Sequence, residues 1–210
     1  LKMCCDYKLK VLCEKPLFWM GSLTEFEKKI TQISSNNARF LVNTSNALLV
    51  KAFKKKYLPK EINNFSFTFH TNGKNKYEAI SVDLLPHGIA MMTELFGYNL
   101  KITNIVKEID NQSNKINFNY GNKSVEFRFR ECPVSTKKML LEFNGKVFER
   151  KTIGSGETYR VSFIDSLQNV IFEIQDPFKT YAIKFLKDSY QMDKDFQNLR
   201  LTSEVLLNGD

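Results

Sequence analysis

The sequence is poor in the residues that build metal centres and disulfide frameworks. Its 210 residues include only two histidines and four cysteines. The cysteines are Cys4, Cys5, Cys13 and Cys132, and their spacing contains no C-x-x-C pair or other zinc-ligand pattern. We therefore expect no metal site. Free thiols of this kind are typical of a protein that works in the reducing cytoplasm.

Long apolar runs are absent as well. No stretch reaches the roughly 18 apolar residues that a membrane-spanning helix needs, and the longest patches, such as Ile89–Met92, are far shorter. The chain begins at Leu1 rather than Met, and its first residues contain no apolar segment of the kind that secretory signals carry. The sequence therefore predicts no membrane partner and no secretion.

Composition and charge indicate a globular protein. Hydrophobic residues make up 42% of the chain and charged residues 26%, and the length suits one large domain or somewhat more. The net charge of +8 would permit anionic partners. However, the lysines and arginines are spread along the chain, and Lys54-Lys55-Lys56 is the longest tract. We therefore interpret the charge as a solvated basic surface.

The first part of the chain has the pattern of a βαβ unit. A short strand over Lys8–Cys13 is followed by chain breakers, and Ser22 or Thr24 can cap the helix that comes next. Ala38–Val42 is a second short apolar strand. This order predicts two parallel strands joined by a helix. Because a parallel sheet must be extended and covered, we expect its other strands to lie upstream of this chain.

The remaining sequence predicts an α+β arrangement. Asn64–Thr71 alternates like a half-buried strand, and a helix over about Leu84–Phe96 ends before Gly97. Further strands are predicted over Lys101–Ile109, Lys115–Tyr120, Ser124–Arg130, Lys138–Phe143, Lys146–Thr152 and Tyr159–Ile164, and helices over Ala47–Tyr57, Phe178–Asp188 and Asp195–Leu207. The predicted fold class is thus α+β: a remnant of a parallel βαβ unit, followed by a large, open, mainly antiparallel sheet in which the strands form a meander.

One chemically informative segment is Val11-Leu12-Cys13-Glu14-Lys15-Pro16-Leu17. Lys15 comes directly after the carboxyl end of a predicted strand, where ligands bind in open α/β sheets. Pro16 restricts Lys15 to an extended conformation, so that the lysine side chain is aimed rather than absorbed into the following helix. The alternative is an ordinary surface lysine that precedes a helix.

A second segment contains Asp83 and His87, which are four residues apart and share one face of a helix. A carboxylate beside an imidazole raises its basicity and fixes its tautomer, as acid–base chemistry requires. In the alternative interpretation, Asp83 is the helix N-cap, Pro86 lies in the first turn, and His87 is a partly buried structural histidine.

Together, the strand that ends in Glu-Lys-Pro and the later Asp-x-x-x-His resemble the Gfo/Idh/MocA family of NAD(P)-dependent oxidoreductases, the glucose–fructose oxidoreductase and inositol dehydrogenase type. The resemblance implies that Lys15 lies between nicotinamide and substrate. It also implies that His87 is the general acid/base and that Asp83 orients or charge-couples with both. Glu14 and Pro16 would hold the loop near the cofactor, NAD or NADP.

The sequence departs from the family in its cofactor motif. The Gly-x-Gly-x-x-Gly fingerprint is absent, since Gly154-Ser155-Gly156 lies between predicted strands and has Tyr159 at the third position. Only fourteen residues precede Lys15. We therefore expect an N-terminally truncated enzyme that is inactive alone and binds the dinucleotide weakly. Residues 1–43 would be the end of its Rossmann domain, and residues 44–210 the substrate-binding and oligomerisation domain.

The resemblance also suggests a substrate-binding segment. Where the family often has an arginine-containing loop, this chain has Asn43, Thr44, Ser45 and Asn46. We expect Asn43, Thr44 and Asn46 to contact the substrate, which the family implies is a sugar, a cyclitol or a sugar derivative.

An alternative function is a non-catalytic binding or assembly module built on the open sheet. Val125–Arg130 alternates basic and apolar residues, but its aromatic residues fall opposite its arginines and no RNP-type motif occurs, so we expect no nucleic-acid partner. We do expect a homo-oligomer through the open sheet. Its exposed face is predicted to carry the apolar side chains of Ile116, Phe118, Tyr120 and Phe143.

Overall fold

The computed structural model describes residues 9–15, 21–35, 39–55, 58–134, 136–187 and 192–208, without the side chains of residues 34, 35, 39 and 40. These residues form ten strands and five α-helices. The strands are β1 Lys10–Cys13, β2 Arg39–Val42, β3 Asn64–Thr71, β4 Ile102–Ile109, β5 Ser113–Tyr120, β6 Lys123–Glu131, β7 Lys138–Phe143, β8 Lys146–Ile153, β9 Arg160–Ile164 and β10 Val170–Gln175. The helices are α1 Leu23–Ser35, α2 Ala47–Lys54, α3 Glu78–Phe96, α4 Pro177–Leu186 and α5 Met192–Leu207. None of the helices in the described part of the chain is long and apolar enough to cross a membrane.

The predicted βαβ unit is present. Strands β1 and β2 pair in parallel, and α1 connects them. The Ser22 hydroxyl accepts a hydrogen bond from the Glu25 amide at 3.2 Å, so Ser22 caps this helix as predicted. Phe26 and Ile33 of α1 are buried together with Val42 of β2 and Leu199 of α5. The C-terminal helix therefore covers the N-terminal unit.

The large sheet has eight strands in the order β10-β9-β8-β7-β3-β6-β5-β4. The predicted meander is wrong at one point, because β3 lies between β7 and β6 and runs parallel to β6. Its residues Phe65 and Phe67 are almost fully buried, so a central position suits this strongly apolar strand. Strand β10 was not predicted, since Ile171 and Phe172 are adjacent and break the alternation that indicates a strand.

Helix α3 packs across the sheet and begins at Glu78, earlier than the predicted Leu84. Asp83 therefore lies inside the helix, and its interpretation as the N-cap is wrong. Pro86 also lies inside the helix rather than in its first turn. The buried residue Ile80 extends the apolar contact surface of α3 by one turn toward its start, which explains the earlier beginning.

Gly88 allows α3 to approach the sheet closely. A Cβ atom at this position would lie 3.0 Å from the ring of Phe127 and 3.1 Å from the ring of Phe67. Both rings are fully buried in the sheet and cannot move outward.

Gly88→Val should therefore lower the free energy of unfolding by about 1–3 kcal/mol, because the added methyl groups overpack this contact. Urea denaturation measures the change. Gly21→Val is the matched control, since the nearest atom to a Cβ at Gly21 is 3.5 Å away in ordinary contact. Equal stability of Gly88→Val and the wild-type protein would contradict this packing.

The apolar open face predicted for the sheet is wrong. Ile116, Phe118, Tyr120 and Phe143 are at most 4% exposed and belong to the main core. Phe118 contacts Phe127, the residue beneath Gly88, with ring centroids 5.4 Å apart, so this is the face that α3 covers. The alternation in β5 and β6 places polar side chains on the opposite face: Lys115, Asn117, Asn119, Glu126 and Arg128.

Candidate active site at the end of strand β1

The structure brings the two sequence motifs into direct contact. The Lys15 ammonium Nζ donates to the Asp83 carboxylate Oδ1 at 2.6 Å and to the Asp83 main-chain carbonyl at 2.9 Å. The two residues are 68 positions apart, and the Lys15 side chain is only 12% exposed. A partly buried ammonium with two such acceptors is held in one place.

Pro86 lies in the helix α3 close to this contact. Proline has no N–H, so the helix loses the hydrogen bond that the amide of residue 86 would make to the Val82 carbonyl. Lys15 adds a hydrogen bond to the adjacent carbonyl, that of Asp83. The Asp83 carbonyl is not the one that Pro86 leaves without a donor, so the bond from Lys15 is an additional contact and not a replacement.

His87 lies one helical turn beyond Asp83. Its Nδ1 atom is 3.4 Å from the amide nitrogen of Asn46, and its ring contacts the ring of Phe69 edge-on, with the centroids 5.7 Å apart. The side-chain amide of asparagine has both a donor and an acceptor, so Asn46 can serve either tautomer of the imidazole by turning its amide.

His87 is a neutral imidazole. Burial and the neighbouring Lys15 ammonium lower its pKa to about 3, and Asp83 opposes this shift only in part. Asp83 raises the basicity of His87, as predicted, but desolvation and the Lys15 charge outweigh the carboxylate, so the net shift is downward. A neutral imidazole retains a nitrogen that can accept a proton, and with a pKa of about 3 His87 is a weak base in this structure.

Glu131 is a member of this site that sequence reasoning missed. It ends strand β6, it is 2% exposed, and its carboxylate accepts hydrogen bonds from the Asn75 amide N–H at 2.9 Å and the Asn75 side chain at 3.1 Å. Burial and the neighbouring Asp83 raise the pKa of Glu131, while its hydrogen bonds from Asn75 oppose this shift. Strand alternation offered a signal, because it places Glu131 on the apolar face with Phe127 and Phe129.

Of the other predicted site residues, Glu14, Asn43 and Asn46 lie at the candidate site, whereas Thr44 lines a separate cavity. Glu14 accepts a hydrogen bond from the side chain of Asn43 at 2.8 Å, which ties the end of β1 to the end of β2. Asn46 contacts His87, whereas the Thr44 hydroxyl bonds to the Tyr181 hydroxyl at 2.9 Å in a separate cavity. Pro16 lies outside the described residues, and its predicted role stays a prediction.

Cys13 is close to this site but is not a reactive thiol. Burial and the negative charges of Asp195 and Glu14 raise its pKa to about 11, so it is protonated at neutral pH. Cys13 and Cys132 carry free thiols, and Cys4 and Cys5 lie outside the described residues.

The sequence matches no protein-family model and no curated protein. Solved structures do match it in fold. One is the WlbA (WbpB) dehydrogenase from Thermus thermophilus in complex with NAD and UDP-GlcNAcA, with a TM-score of 0.68 at 12% identity over 98% of this chain and 66% of that one. Another is the UDP-N-acetylglucosamine 3-dehydrogenase GnnA from Acidithiobacillus ferrooxidans, with a TM-score of 0.68 at 9% identity over 98% of this chain and 72% of that one.

A third similar structure is KijD10, a 3-ketoreductase from Actinomadura kijaniata in complex with NADP, with a TM-score of 0.65 at 14% identity over 97% of this chain and 70% of that one. At such low identity the similarity shows the fold and not the activity. The predicted fold class is confirmed. The chain has the α+β fold of these two dehydrogenases and this reductase, and it spans about two thirds of the length of the first of them.

Proposed function

We propose that this chain belongs to an NAD(P)-dependent oxidoreductase of the Gfo/Idh/MocA type, which moves a hydride between the nicotinamide and a hydroxyl or keto group of a sugar, a cyclitol or a sugar derivative. The observation that carries the proposal is the 2.6 Å contact between Lys15 and Asp83. Residues 1–43 then form the end of the dinucleotide-binding domain, and residues 44–210 form the substrate-binding domain.

The proposed chemistry assigns one task to each side chain. Oxidation of a hydroxyl removes a hydride from carbon and a proton from oxygen. Neutral His87 accepts that proton, and the Lys15 ammonium stabilises the negative charge that develops on the oxygen. Asp83 is a positioning residue, because its carboxylate and carbonyl fix the Lys15 ammonium.

The residues fit the nicotinamide end of the cofactor. Glu14 and Lys15 follow the carboxyl end of β1, where ligands bind in open α/β sheets. Alcohol oxidation needs a proton acceptor and benefits from a cation near the reacting oxygen, the roles proposed for His87 and Lys15. When bound, the nicotinamide supplies or accepts the hydride. The nine glycines of the sequence form no dinucleotide fingerprint. We therefore assign only the nicotinamide end to residues of this chain.

Asn43 and Asn46 are the proposed substrate contacts. Asn43 is held by Glu14 and Asn46 by His87, so both amides border the proposed reaction centre. Amides of this kind donate to and accept from sugar hydroxyls.

A binding module on the open face of the sheet has weaker support. The carboxylate of Glu126 pairs with Arg128 and, at 3.6 Å, with Lys115. Lys115 also pairs with Glu108 at 3.2 Å, so two carboxylates neutralise these two positive side chains. Such pairing is typical of a solvated face rather than of a surface for an anionic polymer.

The proposed activity can be tested with the protein expressed from its complete gene. We expect NAD⁺ or NADP⁺ to be reduced in the presence of at least one member of a panel of sugars, cyclitols and nucleotide sugars, measured by the absorbance of the reduced nicotinamide. Lys151→Met, a change of an exposed lysine on β8, should leave this activity unchanged and serves as the control. The proposal is overturned if no panel member reacts in either direction and neither dinucleotide binds.

A further inference from the structure

One row of side chains on the open face of the sheet consists of basic residues. His70 of β3 lies directly opposite Arg130 of β6 and Lys138 of β7 in the strand register. The three side chains lie on the open face, because residues alternate between the two faces of a strand and the adjacent Phe129 and Met139 belong to the core. Neighbouring strands are about 4.8 Å apart, so the three residues form a continuous row.

The row has no acidic partner within the described part of the chain. Arg130 and Lys138 are exposed, and neither forms an ion pair there. Glu126 of β6 and Glu149 of β8 pair with other basic side chains, and Glu142 lies near the other end of β7. Like charges on neighbouring strands destabilise a sheet, so the row is a cost to stability that the described residues do not offset.

The imidazole of His70 lies between the two cations and is half-buried. Burial and the charges of Arg130 and Lys138 lower its pKa. Among the described residues, these two are the charged groups that face His70 from the strands paired with β3. An anion bound in the row would have the opposite effect on the imidazole, because it favours the protonated form.

The donors of the row match a phosphate group. A guanidinium binds two oxygens of one anion, and the ammonium and imidazole supply further donors. A phosphate monoester has three acceptor oxygens and a charge of about −1.5 to −2 at pH 7. Two permanent positive charges, together with an imidazole that can gain a third, therefore suit a phosphate better than a carboxylate, which has one charge and two oxygens.

We propose that the row formed by His70, Arg130 and Lys138 binds a phosphate group, either as free phosphate or as the monoester of a small molecule. The guanidinium and ammonium would lie on either side of the anion, and the imidazole would donate to it from beneath. The site is separate from the proposed reaction centre, because α3, which carries Asp83 and His87, packs against the other face of the sheet.

Isothermal titration calorimetry at pH 7 tests the ligand class with inorganic phosphate, phenyl phosphate and succinate, none of which has the hydroxyl groups of a sugar. We expect at least one of the two phosphates to bind with a Kd of about 1 mM or below, at least about tenfold more tightly than succinate. Binding of phenyl phosphate would assign the ligand as a monoester, and binding of inorganic phosphate alone would assign it as the free ion. Binding of succinate as tight as that of both phosphates would overturn the proposal, as would no binding of either phosphate.

Variants place the binding in the row. Arg130→Gln and Lys138→Met should each weaken phosphate binding by at least about tenfold. Lys146→Met is the matched control, because Lys146 is an exposed lysine at the other end of the β7–β8 hairpin, and its replacement should leave the affinity unchanged. Unchanged affinity in both Arg130→Gln and Lys138→Met would overturn the proposal.

Proton NMR of the imidazoles gives an independent readout. The sequence has only two histidines, His70 and His87, so His70→Asn assigns their signals. Saturating phosphate should raise the pKa of His70, because the anion stabilises the imidazolium between Arg130 and Lys138. An unchanged pKa of His70 at saturating phosphate would place the anion elsewhere and overturn the proposal.

Discussion

His87→Asn and Lys15→Met should each lower kcat of the proposed oxidoreductase by about 10²–10⁴-fold, because one removes the proton acceptor and the other the charge that stabilises the developing alkoxide. The two changes should be non-additive, since the groups act on one oxygen atom, and the double variant should be little worse than the poorer single one. Steady-state kinetics of both single variants and the double variant measure this coupling.

The pH profile gives a second readout of the same prediction. The pKa of His87 is about 3, so the imidazole is already neutral across the physiological range, and kcat/KM of the wild-type protein should show no loss from protonation of His87 near pH 6.5. Asp83→Asn should have a smaller effect on kcat, and it should not cost a helix cap, because Asp83 lies inside α3. Near wild-type turnover in Lys15→Met, or strictly additive losses in the double variant, would contradict the coupled site.

Asp195→Asn should stabilise the protein at alkaline pH much more than at acidic pH. Burial raises the pKa of Asp195 from 3.8 to about 7, so between these values the folded protein keeps a proton that the unfolded chain has released. The contribution of this carboxyl to stability therefore falls as pH rises through that window. Asparagine does not titrate and can still accept the hydrogen bond from Val42. The variant should gain about 2–4 kcal/mol relative to wild type between about pH 4 and pH 8.

Urea denaturation at several pH values checks this expectation. Asp193→Asn is the matched control, because Asp193 is an exposed aspartate on the same helix, and its replacement should leave the pH dependence of unfolding unchanged. A constant difference in the free energy of unfolding between Asp195→Asn and the wild-type protein, at all pH values, would contradict the buried and protonated state of Asp195.

Local features of the fold were predictable, and contacts between distant segments were less so. Strand β1, helix α1 with its Ser22 cap, and strand β2 follow from short-range patterns. The position of β3 between β7 and β6 depends on which strands bury its phenylalanines, and no local pattern encodes that choice. The start of α3 was misplaced because Pro86 is typical of a first turn, whereas here tertiary contacts tolerate it within the helix.

The candidate site, too, was predictable where it depends on local motifs and not where it depends on contacts between distant segments. The resemblance of two motifs was sufficient to select Lys15, Asp83 and His87, and the structure brings Lys15 to Asp83. Glu131 was missed because its partner Asn75 is 56 residues away in the sequence. In addition, a charged residue at the end of a predicted strand is usually exposed, so its position did not indicate a site. The lowered pKa of His87 was also missed, since desolvation depends on packing that the sequence does not display.

The hydrogen bond from Val42 to Asp195 has a consequence for synthesis on the ribosome. It joins residues 153 positions apart, and the helix that carries Asp195 also supplies Leu199 to the cluster around Phe26. Strands β1 and β2 and helix α1 therefore lack this cover until α5 has been translated. Their native packing can be completed only after α5 has emerged from the ribosome.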